Sequence, residues 1–576
     1  MSDPIKTASV LGIKIDSHIT RLFLFDIVDG KYTLLATSEA TTTHTKPFFD
    51  VREGLIKAID DLQMITGRFL LDDDMNLLIP SQEDGNGVDL LSISYGFLDE
   101  VSLIPAGLLE DVSIESNKSL LQMTHLAVTD SIRLSDSRTL EEIFTSINNN
   151  LPDMFFLSGG TEDGAKKSVT KLVEIILFCI KHLPNSQIPQ IIYAGNSRLS
   201  EKLKEISKEH QLKIYQTENV RPSFETENIL PALSTLNQLS NQILVKRIPG
   251  LAYLFGNAQS QPISYSQGFG VMTKFLSNLN PLSSENALLI DFNKENMIIA
   301  GNENKIIKIF KQKNLMLNDG DQFLKKVVVS EIEKWISSEV DHSYLNDYIA
   351  NKSIHPHSIP ENKEDLKIEK SIFRFLLRDS YRNYRSENGN NNNFHHQILI
   401  NGDYVSLYFS NEELILFLLD SIQPLGLTNL FVDKYGVLPV LGGIAGDNSI
   451  LPVHLLDSNV ISLLAKVFSI SSKTRNETPI LNVIIEFEDG SRLEELITKG
   501  TLKKLPATSG KSVKLFIQAI GNIESKTILK PFEKGVMVQG GSQGIIFDTR
   551  NRPIILPKDS TERINTLRNW RKEMAN

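Results

Sequence analysis

Apolar runs broken by short polar turns open the chain. Ala8 to Lys14, Arg21 to Val28 and Tyr32 to Thr37 predict three successive strands, and Asp50 to Ile65 spaces its apolar residues as a helix does. Another strand, Leu90 to Tyr95, follows the loop Gly85 to Asp89. Met154 to Leu157 is a continuous apolar run, Ser158-Gly-Gly-Thr161 a tight loop, and Ala165 to Lys181 again has helical spacing. Strand, glycine turn and helix make one unit of an α/β layer. Helices at Leu108 to Leu121 and Leu140 to Asn149, strand-and-helix pairs at Ile191 and Ile214, and a long amphipathic helix from Glu225 to Val245 extend that unit into a doubly wound α/β region.

The pattern then restarts. Leu288 to Ile299 predicts a hairpin turning at Asn293 to Asn296, where asparagine tolerates left-handed backbone. Helices at Glu364 to Arg385 and Asn411 to Ile422, a strand from Asn429 to Asp433 and a glycine loop from Leu441 to Gly446 close this second part. Ile480 to Glu488, Arg492 to Ile497, Val513 to Ala519 and Gly535 to Phe547, with turns at Asp489-Gly490 and Ser509-Gly510, predict a small barrel-like β module. Ser560 to Lys572 predicts a charged terminal helix. The expected divisions are 1–84 and 85–250 for a first lobe with its α/β insertion, 251–470 for a second lobe, 471–550 for the β module and 551–576 for the terminal helix.

Composition narrows the function classes. A chain of 576 residues, 41% apolar and 23% charged, is ordinary for a folded protein and implies roughly two to four domains. A net charge of −10 with no long basic run argues against a nucleic-acid partner. The single cysteine, Cys179, rules out an intrachain disulfide and a cysteine-based metal site, and its place on an apolar helix face makes it a core residue. The first residues lack a signal-peptide pattern and no stretch reaches roughly 18 uninterrupted apolar residues, so a cytoplasmic protein without a membrane partner is expected.

Candidate chemistry gathers in the α/β region. Gly159 and Gly160 let the backbone lie close to a neighbour, and free N–H groups at the start of the next helix could meet an anion. Ser158, Thr161, Asp163, Asn196 and Arg221 fall in loops at the carboxyl ends of predicted strands, where such layers bind ligands. Two other accounts stay open: the glycines simply make the turn, and Asn196 and Arg221 cap or pair locally. His355, His357, His395 and His396 lack an accompanying acid or cysteine cluster, so exposed histidines and no metal site are expected. Asn388 to Asn393 reads as a low-complexity surface loop.

Several of these stretches carry a resemblance. Pro152-Asp-Met with Gly159-Gly-Thr-x-x-Gly164, Tyr193-Ala-Gly-Asn196, Glu218-Asn-Val-Arg-Pro222, Lys352-x-x-x-Pro356-x-x-Ile359-Pro360, Gln423-Pro-x-Gly426-Leu-Thr428 and the end from Ile546 to Pro557 resemble the landmarks of the MutL (GlmL) family. That family is associated with glutamate mutase and other adenosylcobalamin-dependent mutases. The resemblance runs from about residue 8 to the end, and it implies the two-lobed actin/sugar-kinase/Hsp70 ATPase fold, with the doubly wound α/β region inserted in the first lobe and the β module at the C-terminus.

The resemblance also implies where nucleotide would sit, and there the chain departs. The family's first phosphate hairpin reads like Asp-x-Gly-Ser-Thr-x-Thr-Lys, its acid holding hydrated magnesium and its glycine exposing backbone amides to phosphate. Here Lys14, Asp16, Ser17, Thr20 and Arg21 occupy it, so lysine replaces the acid and aspartate the glycine. In the second hairpin Asp291 persists, but the glycine pair has become Asn293-Lys294. The nucleoside-side glycine segment is reduced to Asn401-Gly402-Asp403. Ser17, Thr20 and Gly402 are the remaining nucleotide-contact candidates, and Asp291 is the catalytic candidate if hydrolysis persists. No resident cofactor is expected, and ATP with magnesium only if the site still functions. The expectation is a non-hydrolysing chaperone, scaffold or regulatory subunit whose partner is a cobalamin-dependent mutase or an active paralogue. The alternative is an active reactivating ATPase or small-molecule kinase with a rebuilt site. The chain lacks the Asp-x-His-x-x-Gly pattern of cobalamin ligation by histidine.

Overall fold

The computed structural model describes residues 9–96, 100–108, 113–162, 164, 166–183, 188–279, 287–293, 296–303, 306–313, 323–324, 326–356, 358–388, 394–456, 458–507, 511–524 and 526–575. Asp163, His357, most of the asparagine tract and the turn at 509–510 therefore lie outside the described residues. The chain forms two compact units, Met1–Gly268 with Pro439–Pro452, and Phe269–Leu438 with Val453–Asn576.

In the first unit, β1 (Val10–Ile15), β2 (Ile19–Val28) and β3 (Lys31–Thr41) form an antiparallel meander, and β4 (Leu90–Tyr95) lies parallel to β1. Helix Val51–Thr66 covers the meander, because Asp50 accepts from Arg52 N at 2.8 Å at its start and Gly67 takes φ +70° at its end. The insertion contains β5 (Ser102–Gly107), β6 (Ala127–Val128), β7 (Ile132–Arg133), β8 (Met154–Gly159), β9 (Gln190–Gly195) and β10 (Ile214–Gln216). Its strands run parallel in the order β10-β9-β8-β5-β6, with β7 also on β5. This is the doubly wound order, whose switch point lies between β5 and β8. β8 is buried along its whole length, as its unbroken apolar run requires, and helix Lys166–Lys181 sets Val169, Leu172, Val173 and Ile176 against the sheet. Cys179 is fully buried there, which pushes its thiol up to about 11. The predicted helix Glu225 to Val245 begins instead at Leu230, since Pro231 fits the first turn of a helix but not its interior.

β11 (Ile263–Ser264) pairs with β4 and completes the order β11-β4-β1-β2-β3, so the second lobe does not begin at 251. The glycine segment 441–446, expected to close that lobe, also lies elsewhere. Most of it belongs to helix Leu438–Ile444, and residues 439–452 pack in the first unit, with Val440 against Gly12 and Gly442 on the Gly268 backbone. A Cβ at Gly12 or Gly442 would collide with those neighbours, so close packing explains the glycines.

The second unit repeats the plan. β12 (Ala287–Phe292), β13 (Asn296–Glu303) and β14 (Ile306–Lys313) form the antiparallel meander, with β15 (Gln397–Asn401) parallel to β12 and β16 (Gly426–Asp433) parallel to β15. β14-β13-β12-β15-β16 matches β3-β2-β1-β4-β11 strand for strand. This duplicated plan is the one that the resemblance to the actin/sugar-kinase/Hsp70 fold leads one to expect. β17 (Ile461–Ser469) extends the sheet. The module contributes β18 (Pro479–Glu486), β19 (Arg492–Thr498), β20 (Leu502–Leu505), β21 (Ser512–Ala519), β22 (Val536–Gln539) and β23 (Ile545–Asp548). It is not a closed barrel. β19-β18-β21-β22 is an open sheet, while β23 and β20 continue the large one beside β17. The predicted run Gly535 to Phe547 splits into β22 and β23 because Gly541 and Gly544 exchange backbone hydrogen bonds and turn the chain between them.

Candidate functional site

The β1–β2 turn spans Asp16 to Ile19, closed by Asp16 N donating to Ile19 O at 3.1 Å. The Asp16 carboxylate accepts from His18 N at 2.9 Å and from Ile19 N at 2.7 Å. An Asx turn of this kind takes up the amides that a phosphate would need, and places negative charge where phosphate oxygens would lie. Lys14 is buried, its ammonium 5.4 Å from the centre of the Tyr265 ring. That ring in turn lies on Gly96, where a Cβ would sit 2.7 Å from it. Thr20, a nucleotide-contact candidate, is fully buried and shares a hydrogen bond with Thr42 at 2.9 Å, so its hydroxyl serves the sheet. Ser17 Oγ is buried and bonded to no protein atom. Arg21 forms an ion pair with Glu39 across β2 and β3.

Asp291 holds in β12 the place that Lys14 holds in β1, one residue before the strand ends. It is 1% exposed, and its two oxygens accept from Asn293 Nδ2 at 2.7 Å and Asn401 Nδ2 at 2.9 Å. Asn293 also holds its own turn, accepting from Asn296 N at 2.8 Å through its side chain. Gly402 is explained by packing: a Cβ there would lie 2.7 Å from Val432 Cγ2 and 2.8 Å from Asp433 O. The residues present do not fit a magnesium nucleotide at these hairpins. The first has a cation and a self-capped turn where the metal-side acid and bare amides belong, and the acid of the second is enclosed by amides.

The α/β loops, by contrast, converge. Asn196 is fully buried; its Nδ2 donates to Thr161 O at 2.9 Å and Gly164 O at 2.8 Å, and its Oδ1 accepts from Arg198 N at 2.9 Å. Tyr193 donates through its hydroxyl to Asn196 O at 3.0 Å. From the third loop Asn219 donates to Gly160 O at 3.0 Å and to Glu162 Oε1 at 2.7 Å, and accepts from Arg221 N at 3.0 Å. Glu162 also receives the Ser197 hydroxyl. Burial would raise the Glu162 carboxyl, but the donors Ser197 and Asn219 outweigh it and hold it below the usual range. Gly159 and Gly160 have φ of +134° and +75°, and Gly160 faces Val169 and Asn196. Ser158 lies inside β8 rather than in the loop, buried, with Oγ donating to Ser113 O at 3.4 Å. Arg221 is half-buried and donates to Phe224 O at 3.4 Å.

Over residues 10–388 the sequence matches the family of the MutL protein. The chain belongs to the MutL family. No curated protein matches it. Among solved structures it is similar to acetone carboxylase in its nucleotide-free form (8% identity, 85% of this chain and 81% of that chain, TM-score 0.35). Others are the xylulose kinase of Bifidobacterium adolescentis (9%, 78% and 93%, 0.29) and a glycerol dehydratase reactivase (10%, 77% and 100%, 0.27).

In this MutL protein the three landmarks at 158–164, 193–196 and 218–222 are thus parts of one hydrogen-bonded knot at the carboxyl ends of β8, β9 and β10. Glu162 and Asn219 tie it together and were not singled out from the sequence, although both stand inside the landmarks. Two further landmarks have structural causes. Lys352 is 2% exposed, pairs with the fully buried Glu369 at 2.9 Å and also donates to Ser358 O at 2.5 Å. Gln423 takes φ +54° and accepts from Ile554 N at 3.0 Å. His395, expected at the surface, is buried with Nε2 2.6 Å from the Tyr381 hydroxyl. Among the described residues no group of histidines, cysteines and acids could hold a metal, and no helix is long and apolar enough to cross a membrane.

Proposed function

We propose that this MutL protein is a pseudo-ATPase: a non-hydrolysing chaperone, scaffold or regulatory subunit for an adenosylcobalamin-dependent mutase or for an active paralogue. The observation that carries the proposal is the Asp16 carboxylate, which occupies the His18 and Ile19 amides of its own hairpin. Family membership supports the mutase connection, and the intact knot of the α/β insertion supplies a pre-ordered surface for a protein partner. Such a chain keeps the framework of the family without a phosphate-driven cycle, and any release of damaged cofactor would draw on an ATPase elsewhere in the assembly.

The test is calorimetric titration of the full chain with ATP and ADP, each with magnesium and with a chelator in its place. No magnesium-dependent heat and no phosphate release are expected. Stoichiometric magnesium-dependent binding would overturn the proposal and restore an active ATPase or kinase with Asp291 beside the metal.

A further inference from the structure

The helix Lys363–Glu387 carries arginines at 374, 378, 382 and 385, a spacing that puts them on one stripe of its surface. Arg374, at the buried end, is 5% exposed, lies 3.9 Å from the centre of the Trp335 ring and donates to Glu331 O at 3.2 Å. The next three open onto a groove of about 510 Å³, whose other walls include Tyr381, Phe394 and Arg552. Among the described residues no carboxylate lines it.

Three nearby acids have other cations as their ion-pair partners. Asp420 gives its carboxylate to Arg550 and its backbone oxygen to Arg378, at 3.3 Å, while its charge also acts on Arg378. Asp548 takes Arg550 at 2.9 Å and Arg552 at 2.7 Å. Glu331, whose charge also acts on Arg378, is paired with Lys334. Like charges four residues apart on a helix repel, and burial together with the charge of Arg382 holds Arg378 below the usual guanidinium range. A bound anion would relieve both effects.

We propose that this groove binds a small phosphorylated ligand, with phosphate oxygens against the Arg378 and Arg382 guanidiniums and the apolar part of the ligand on Phe394 and Tyr381. The guanidinium fork matches phosphate in two-point contact, and the groove has the volume of a small-molecule pocket rather than of a protein interface. The site lies wholly within the second unit and shares no lining residue with the β12–β13 hairpin.

The test titrates the full chain with tripolyphosphate and with ADP, both in chelator so that magnesium-dependent binding is silent, beside an oligoglutamate peptide. Arg382 is exposed, so Arg382→Glu should leave the melting temperature near that of the parent; Arg378→Gln provides a second variant. Expected is saturable binding of tripolyphosphate or ADP, weakened about tenfold or more in both variants. Tighter binding of ADP would assign the aromatic wall to a nucleoside, and tighter tripolyphosphate an inorganic ligand; either supports the site. No binding of either compound at about 1 mM, binding unchanged in Arg382→Glu, or preference for the peptide would overturn it.

Discussion

Replacing Asn196 by alanine tests whether the landmark loops are held by the chain itself or kept for a ligand. The side chain makes three hydrogen bonds of 2.8–2.9 Å, two donated to the Thr161 and Gly164 carbonyls and one accepted from Arg198 N. Each such bond contributes about 1 kcal/mol net, and a partner left buried without water loses more. Thr161 and Gly164 are half-buried, so water can reach their carbonyls in part. The expected loss is therefore about 2–4 kcal/mol. For a unit of this size that is a fall of about 5 to 15 °C in the melting transition that involves the insertion, followed by circular dichroism. Asn196→Asp should do no better, since a carboxylate keeps the acceptor for Arg198 N but repels the two carbonyls. A fall below about 2 °C would refute the assignment of these bonds to structure. Lost partner binding at unchanged stability would instead make Asn196 a ligand contact.

Other consequences can be measured on the same preparation. Gly402→Ala should cost about 1–3 kcal/mol in chemical denaturation, because the new methyl meets the Asp433 backbone, and a neutral result would reopen Gly402 as a ligand-contact position. Lys352→Met, leaving Glu369 buried without its cation though still bonded by the Tyr348 hydroxyl, should cost about 3–5 kcal/mol, while Lys352→Met with Glu369→Leu should recover most of it; equal losses would show that packing, not charge, is at stake. Burial alone would raise the Asp548 carboxyl, but Arg550 and Arg552 hold it well below the usual range. With the folded value depressed, its stabilisation is full above the unfolded value of about 3.9 and is lost as pH falls below it. Asp548→Asn should lower stability near neutrality and flatten the acid limb of a pH–melting profile; an unchanged limb would refute the pairing.

How much of this was legible depends on what kind of signal each residue sends. Local elements announced themselves through periodicity: Leu90 to Tyr95 and Asn411 to Ile422 match the strand and helix residue for residue. Where an element is decided by distant packing, periodicity fell silent. Nothing in Leu441 to Gly446 says that it is helical or that Gly442 lies on Gly268 in the first unit. The strand Gly535 to Phe547 looked continuous because both halves are apolar, and only pairing partners separate β22 from β23. At the candidate site the glycines were visible and the amides that hold them were not. Asn219 resembles any loop asparagine until Gly160 O and Glu162 come within its reach. The arginine stripe of 374, 378, 382 and 385 was spaced for recognition but hidden in a chain of net charge −10.

On the proposed pseudo-ATPase reading, Asp16 is the residue that lets the first hairpin stand without a phosphate. A glycine-rich turn leaves its amides to an anion or to water; here His18 and Ile19 are exposed, so a carboxylate that caps them orders the turn rather than rescuing buried donors. A carboxylate on the turn itself answers His18 N and Ile19 N at ordinary hydrogen-bond distances. The hairpin then keeps its register, Lys14 opposite Arg21 and Ile15 opposite Thr20, without help from outside. In the second unit two asparagine amides likewise donate to the Asp291 oxygens. The His18 and Ile19 amides and the Asp291 oxygens are bonded within the chain, whereas the buried Ser17 Oγ is not. On the proposed reading, stability and ligand affinity are alternatives there: any variant that frees the amides or the Asp291 oxygens must first give up the bonds that hold the turns.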